Sequence, residues 1–461
     1  MLLLELPLEI FHMILARTIV QGHAERFTQL QLVNKTFARE ARNVVFCSRL
    51  FQRVGQWDPF VFEYLCNRAL APDAYHYYAI RAVRKCTDWI CAQQPRNYSE
   101  RETCYTLSRS AALCCNEILH KTLHNSTHKC TEAQKRERGH QSSDSIQHQL
   151  CAAACIGNLG LVRSLLLNGA DVNAKSDIFG SPLLNAAREG HTAIVQFLLE
   201  KGADPECDTV QWTTESERKD VQRFIFRRMN KEPWTPLGGA AFAGHGEIVN
   251  LLLGAPYSVS RSSCSFFHAI IHAGRGGHID ILRPLIANAD FDAISEKVKK
   301  RVLDSALKES ASGGHLDSMQ LLLEFGAAVD LCIPQELEHT ALWYAACHGR
   351  NEAVEFLLDR GADINEAFMR PDGPLVIAGQ MGFPRTVALL LDRGAEVNHL
   401  RVHVFSQIDV MSPFCVIKVL LEKEVHKRDQ DGAMQMLEDA HGANRQDIID
   451  LFHDYGVVLG T

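Results

Sequence analysis

The sequence predicts an all-α chain built as a repeat solenoid, and three observations carry that prediction. The first is a row of glycines, Gly157, Gly190, Gly244, Gly277, Gly314, Gly349 and Gly382, several of which follow one another at 33 residues. A fixed period of this length is the signature of stacked helix pairs. The second is the apolar pattern on either side of each glycine, which recurs at the three- and four-residue steps of a helix face. The third is a recurrent exit, GADVN at Gly169–Asn173, GADIN at Gly361–Asn365 and GAEVN at Gly394–Asn398. At 461 residues the chain exceeds what one compact core supports. A solenoid escapes that limit because it buries surface between neighbours only.

The stretch Ser181–Asp204, SPLLNAAREGHTAIVQFLLEKGAD, shows how one unit is encoded. Ser181 caps the first helix, and Pro182 suits its first position, where a fixed φ helps and a missing N–H costs nothing. Leu183, Leu184, Ala186 and Ala187 give an apolar face whose alanines let a neighbouring helix come close, and Gly190 ends the helix. Thr192 is placed to cap the second helix. Ile194, Val195, Phe197, Leu198 and Leu199 form its buried stripe, and Gly202 supplies the left-handed residue after it. This unit resembles the ankyrin repeat in its TPLH-like start, its two helices, its GH turn and its GAD-x-N exit. The resemblance implies an ankyrin domain of about eight repeats over residues 146–461, with protein recognition as its work. The wider step from Gly190 to Gly244 places an insertion at 206–234, in a loop between two repeats.

Residues 1–50 form a separate helical module. LELPLEIFHMILA starts a helix at Pro7 with Leu8, Phe11, Ile14 and Leu15 on one face, and the following segments direct Leu30, Val33, Phe37 and Val44 inwards. The arrangement resembles an F-box, the module by which substrate receptors join the Skp-type adaptor of cullin ubiquitin ligases. The matching residues are Leu6, Pro7, Glu9, Ile10, Ile14, Leu15, Leu32, Val33 and Phe37, the last standing where many members have tryptophan. The resemblance implies adaptor binding through Leu6, Pro7, Ile10, Ile14, Leu15, Leu32, Val33 and Phe37. Periodicity alone also allows a cap that only shields the solenoid, which would leave a plain scaffold. As a whole the chain is similar to fungal-type proteins that join an F-box to ankyrin repeats.

Residues 51–130 read as a helical connector, with Tyr77, Ile80, Val83 and Ile90 at helical spacing and room for diverged repeats. Residues 131–145 are a polar linker. Near the other end the pattern thins. Leu400–Asp431 retains only a second helix around Phe414–Leu421, and Ala440–Gly456 reads as the second half of a last, more charged repeat that meets water.

The composition excludes several functions. A net charge of −7 and a pI near 6.3 give no polyanion-binding signal, so no nucleic acid partner is expected. The insertion mixes Arg223, Arg227 and Arg228 with Phe224 and Phe226, but its acidic residues dilute the charge, and it reads as a helical finger packed on the array. No apolar run is long enough to span a bilayer. The apolar N-terminus is broken by Glu5 and Glu9 and lacks a basic start, so no secretory signal is expected. Fifteen irregularly spaced cysteines, an odd number, fit reduced thiols, and the chain is expected in the cytoplasm, the nucleus or both.

Candidate chemistry is sparse, and the chain reads as a non-enzyme without cofactor. No stretch brings together a nucleophile, a base and an orienting group. The glycine-rich runs Leu237–Gly246 and Ala273–His278 lack the GKS or GKT ending of a phosphate loop. His191, His245, His278 and His315 each follow an aligned glycine, and the ankyrin resemblance makes them turn residues that bond backbone between neighbours. Cys114, Cys115, His120, His124, His128 and Cys130 form the densest set of metal-ligand types. No cysteine pair among them has two-residue metal spacing and Asn125–Thr127 is a poor helix interior, so no metal is expected.

The partner surface follows from the resemblance. In ankyrin arrays the side chains just before the inter-helix glycine, and those on the preceding loop tip, face the concave groove. Here those places hold Arg188, Glu189, Trp234, Phe242, Arg275, His348, Gln380 and Met381, of which Trp234 and Phe242 equally fit packing under the Thr209–Lys231 insertion. Such aromatic, arginine and soft apolar groups are the usual anchors of a protein ligand.

Overall fold

The computed structural model describes residues 62, 65–66, 69–70, 78–94, 97–114, 143–206, 235–291, 296–330, 339–365, 373–397, 405, 414–442 and 445–458. Among these residues every regular element is a helix, and the extended backbone pairs only at an isolated bridge between Ser176 and Gly180. The chain divides into two compact units, Val54–Lys299 and one that includes Lys300–Thr461.

The first unit opens with α1 (Tyr78–Gln93) and α2 (Glu100–Cys114), which pack on each other. Four repeat pairs follow: α3 (Ser143–Cys155) with α4 (Leu159–Leu167), α5 (Pro182–Arg188) with α6 (Thr192–Glu200), α7 (Pro236–Ala243) with α8 (Gly246–Leu253), and α9 (Cys264–Gly276) with α10 (Ile279–Asn288). First helices stack on first helices and second on second, so each repeat buries its apolar stripe only against its neighbours. The connector joins this core directly, since Ile80, Val83, Ile90, Cys104 and Leu107 share one apolar cluster with Cys151, Ile178 and Phe179.

Small residues set how close the first helices come. A Cβ on Gly239 would stand 3.0 Å from Leu184 of α5, and one on Gly276 would stand 2.2 Å from the Phe242 carbonyl oxygen of α7. Only glycine fits at the second place, because a backbone atom cannot yield. The helix starts follow the cap chemistry. Ser181, Thr235 and Ser263 accept bonds from the amides of Leu184, Gly238 and Phe266 at 3.2, 3.0 and 3.3 Å. Thr192 is a correction: it is the first helical residue of α6, and the cap position belongs to His191, which makes no side-chain cap bond.

In the second unit, α11 (Glu296–Gly313) and α12 (Leu316–Glu324) precede the pairs α13 (Ala341–Cys347) with α14 (Asn351–Leu358) and α15 (Pro374–Met381) with α16 (Pro384–Asp392). Thr340 caps α13 by accepting from the Trp343 amide at 3.4 Å. At the end, α17 (Phe414–Glu422), α18 (Val425–Arg428), α19 (Gln430–Gly442) and α20 (Gln446–Asp454) pack in succession, and α20 returns onto α17. The last repeat is therefore more complete than its sequence implies. Ala433, Met436, Leu437 and Ala440 make a buried face on α19 inside an otherwise polar stretch, and Asp429 accepts from the Gly432 amide at 3.1 Å to start that helix.

Candidate protein-recognition face

The residue after several of the inter-helix glycines ties one repeat to the one before it. His191 and His245 lie over Gly157 and Gly190, and their Nε2 atoms reach the carbonyl oxygens of Cys155 and Arg188 at 3.0 and 3.1 Å. His278 lies over Gly244 in the same way. In the second unit the role passes to other side chains: Arg350 covers Gly314 and donates from Nε to the Ser312 carbonyl at 3.0 Å, and the Phe383 ring covers Gly349. The exits are tied as well. Asn173 donates to the Gly202 carbonyl at 3.0 Å and accepts from the Asp204 amide at 2.9 Å, while Asn365 accepts from the Glu396 amide at 2.8 Å. Asp330 takes the asparagine's place, accepting from the Asp363 amide at 3.0 Å, and burial together with the Asp363 charge raises its pKa. These histidines and acids are spent on stacking.

The face ahead of the glycines is less uniform. Arg188 is not available to a partner: its side chain is 3% exposed, with Nε 3.3 Å from Glu189 Oε1 and Nη2 3.0 Å from Asn185 Oδ1. Its Nη1 donates to Cys114 Sγ at 3.5 Å. Glu189 also pairs with Arg109, and Ser110 donates to Asn185 Oδ1 at 2.6 Å. The connector helix α2 thus covers the face of α5 that the repeat pattern assigns to the groove. In the same unit Phe242 and Arg275 are half-buried at the ends of α7 and α9.

In the second unit His348, Gln380 and Met381 are half-buried at the ends of α13 and α15. The His348 ring nitrogen Nδ1 lies 2.9 Å from the Tyr344 carbonyl oxygen. Beside it is an aromatic group that the sequence reading passed over. His339 stacks on Trp343 with centroids 3.9 Å apart and planes 8° apart, and Trp343 meets Tyr344 edge-on at 5.3 Å. One signal could have found Tyr344 and Asn185: each stands four residues before a position already chosen, on the same helix face. Leu6, Pro7, Ile10, Ile14, Leu15, Leu32, Val33, Phe37 and Trp234 lie outside the described residues.

One arrangement looks catalytic and is structural. The His148 ring places Nδ1 2.9 Å from Ser176 Oγ and Nε2 3.6 Å from Asp177 Oδ1. Ser176 is 5% exposed, however, and its oxygen already accepts from the amides of Ile178 and Phe179 at 3.1 and 2.9 Å. It pins the turn before α5 and offers a substrate no approach. Of the cysteine and histidine ladder only Cys114 is among the described residues. Those residues hold no group of three or more His, Cys, Asp or Glu fit for a metal, and no helix long and apolar enough to cross a membrane.

Residues 150–263 and 267–368 match the family model for ankyrin repeats. The ankyrin repeat and KH domain-containing protein mask-1 of Caenorhabditis elegans is 30% identical over 230 residues, 44% of this chain and 9% of that protein. The probable E3 ubiquitin-protein ligase XBOS33 of Oryza sativa subsp. japonica is 29% identical over 208 residues, 44% of this chain and 36% of its own. The chain thus spans well under half the length of these relatives. Among solved structures, the human ASB11 ankyrin repeat domain is similar at 26% identity and a TM-score of 0.35, covering 54% of this chain and 98% of that one. Residues 150–263 and 267–368 therefore carry ankyrin repeats, a fold that holds protein partners.

Proposed function

We propose that this chain is a substrate receptor: the repeats hold a protein partner and the F-box-like residues 1–50 present it to a ubiquitin ligase through a Skp-type adaptor. The observation that carries the recognition half is the departure from uniformity at equivalent positions. Inter-repeat positions are filled by stacking residues, whereas the ends of α7 and α9 in the first unit hold Phe242 and Arg275, and the ends of α13 and α15 in the second hold His348, Gln380 and Met381, with Tyr344 beside His348 and Trp343 against Tyr344. Groups of this kind make anchors. The ligase half rests on the LPLEI motif at Leu6–Ile10, and a relative that is named a probable E3 ligase is consistent with it. Co-purification of the full chain with a Skp-type adaptor tests that half. Leu6→Ala combined with Pro7→Ala is expected to abolish capture while the thermal transition of the repeats stays in place. Unaltered capture by the double variant, or no capture by the wild type, leaves a scaffold without a ligase link.

A further inference from the structure

Two enclosed cysteines of the connector reach across to each other's backbone. Cys104 Sγ donates to the Cys66 carbonyl oxygen at 3.6 Å, and Cys66 Sγ donates to the carbonyl oxygen of Arg101, three residues before Cys104 on α2, at 3.7 Å. The flanking residues keep the same register, since Phe62 and Tyr105 meet edge-on with ring centroids 6.4 Å apart. Both cysteines sit in the apolar cluster with Ile80, Val83 and Leu107. A hydrogen bond from the Cys66 side chain holds the Cys104 thiol below its ordinary value in spite of burial. The hydroxyls of Thr87 and Ser108 lower it further, and the Ser108 oxygen, enclosed one turn further along α2, has no other hydrogen-bond partner. Elsewhere burial prevails: it pushes the thiols of Cys86 and Cys155 up to about 12 and those of Cys264 and Cys347 up to about 11.

We propose that Cys66 and Cys104 form a reversible disulfide when the chain meets a hydroperoxide, and that this bond fixes the segment around Cys66 to α2. The hydroperoxide, little larger than water, reaches the sulfurs in local openings of the fold. The Cys104 thiolate attacks one peroxide oxygen, the O–O bond breaks, and the other oxygen leaves as water or an alcohol. Cys104 is now a sulfenic acid. The Cys66 sulfur displaces its hydroxyl, a sulfur–sulfur bond forms, the sulfur–oxygen bond breaks, and a water departs with the Cys66 proton. Two thiols have lost two electrons and the peroxide has gained them. The two cysteines stand 38 positions apart, so the bond closes a long loop onto a helix that already covers the α5 face through Ser110 and Arg109. Oxidation therefore stiffens that cover.

The test uses the native full-length chain, hydrogen peroxide as the probe, N-ethylmaleimide to block the remaining thiols, and mass spectrometry of unreduced peptides. The expected result is a linked Cys66–Cys104 peptide that forms before any other linkage and disappears with dithiothreitol. Hydrogen exchange of the α2 amides should slow about 10-fold in the linked chain. In Cys66→Ala, dimedone should capture Cys104 as the sulfenic acid, and in Cys104→Ala its capture of Cys66 should be at least ~10-fold slower. The linkage map of the wild type needs no variant, so it decides the matter even if alanine at either position prevents folding. Absence of the linked peptide, a first linkage elsewhere, α2 exchange unchanged in the linked chain, or faster capture of Cys66 than of Cys104 overturns the proposal.

Discussion

Replacing Gly190 by alanine should damage the array far more than the same change at Gly202, although both glycines close a helix in left-handed backbone, at φ of 82° and 86°. The conformational cost is common to both, about 1–2 kcal/mol for an L-residue. At Gly202 nothing else is met, since no atom lies within 4 Å of an added Cβ. At Gly190 the new methyl would stand 2.5 Å from Cε1 of His245, and that ring can retreat only by giving up its bond to the Arg188 carbonyl. A lost hydrogen bond adds about 0.5–1.5 kcal/mol and overpacking about 1–3 kcal/mol. Gly190→Ala should therefore cost about 3–6 kcal/mol against about 1–2 for Gly202→Ala. Urea denaturation with unchanged m-values measures both. The double variant Gly190→Ala with His245→Ala should recover part of the loss, because the clash is gone. Equal costs at the two glycines, within about 0.5 kcal/mol, would refute the claim that this ring is what welds one repeat to the next.

Two further outcomes follow from burial. Leu198 is wholly enclosed in α6, and Leu198→Ala should cost about 2–5 kcal/mol in the same denaturation series. His268, on α9, is held by burial at a pKa of about 4 against its ordinary 6.5, and its neighbour His272 is lowered as well by burial and by the charges of His268 and Arg275. As pH falls through 6.5 the unfolded chain takes up these protons first, so stability declines between pH 6.5 and 4, by about 1–2 kcal/mol at pH 5 for one such group. His268→Gln should flatten that part of the stability profile. A wild-type profile level from pH 7 to 5 would show that the imidazole is protonated in the fold.

The repeats were legible because their signals are local. A cap, a proline, a small apolar face and a glycine lie within a few residues, and each acts on the backbone beside it. The position after the glycine was legible only as histidine. The requirement is a side chain that covers the previous glycine, which Arg350 and Phe383 also meet, and a histidine pattern does not reveal them. The fate of Arg188 and Glu189 could not be read at all. Their partners Cys114 and Arg109 are 74 and 80 residues away, on a helix that carries no repeat signature, so nothing near α5 announces that its face is already taken. Tyr344 escaped for a simpler reason: it lies on the same helix face one turn before His348, away from the residues next to the glycine. The helix α19 was hidden because its buried residues are interleaved with glycine, aspartate and glutamine, which weaken an apolar pattern without preventing the helix.

The most direct measurement of recognition by the repeats compares what the native full-length chain captures with what two double variants capture, by quantitative mass spectrometry. One variant, His348→Glu with Met381→Glu, places charge on the α13 and α15 ends; the other, Glu352→Arg with Glu355→Arg, alters exposed residues of α14. Thermal transitions within about 2 °C of the wild type would establish that all three are folded alike. The account predicts that a discrete set of proteins is lost from the first variant and kept by the second. Identical capture by both variants, or loss from the α14 variant alone, would contradict it.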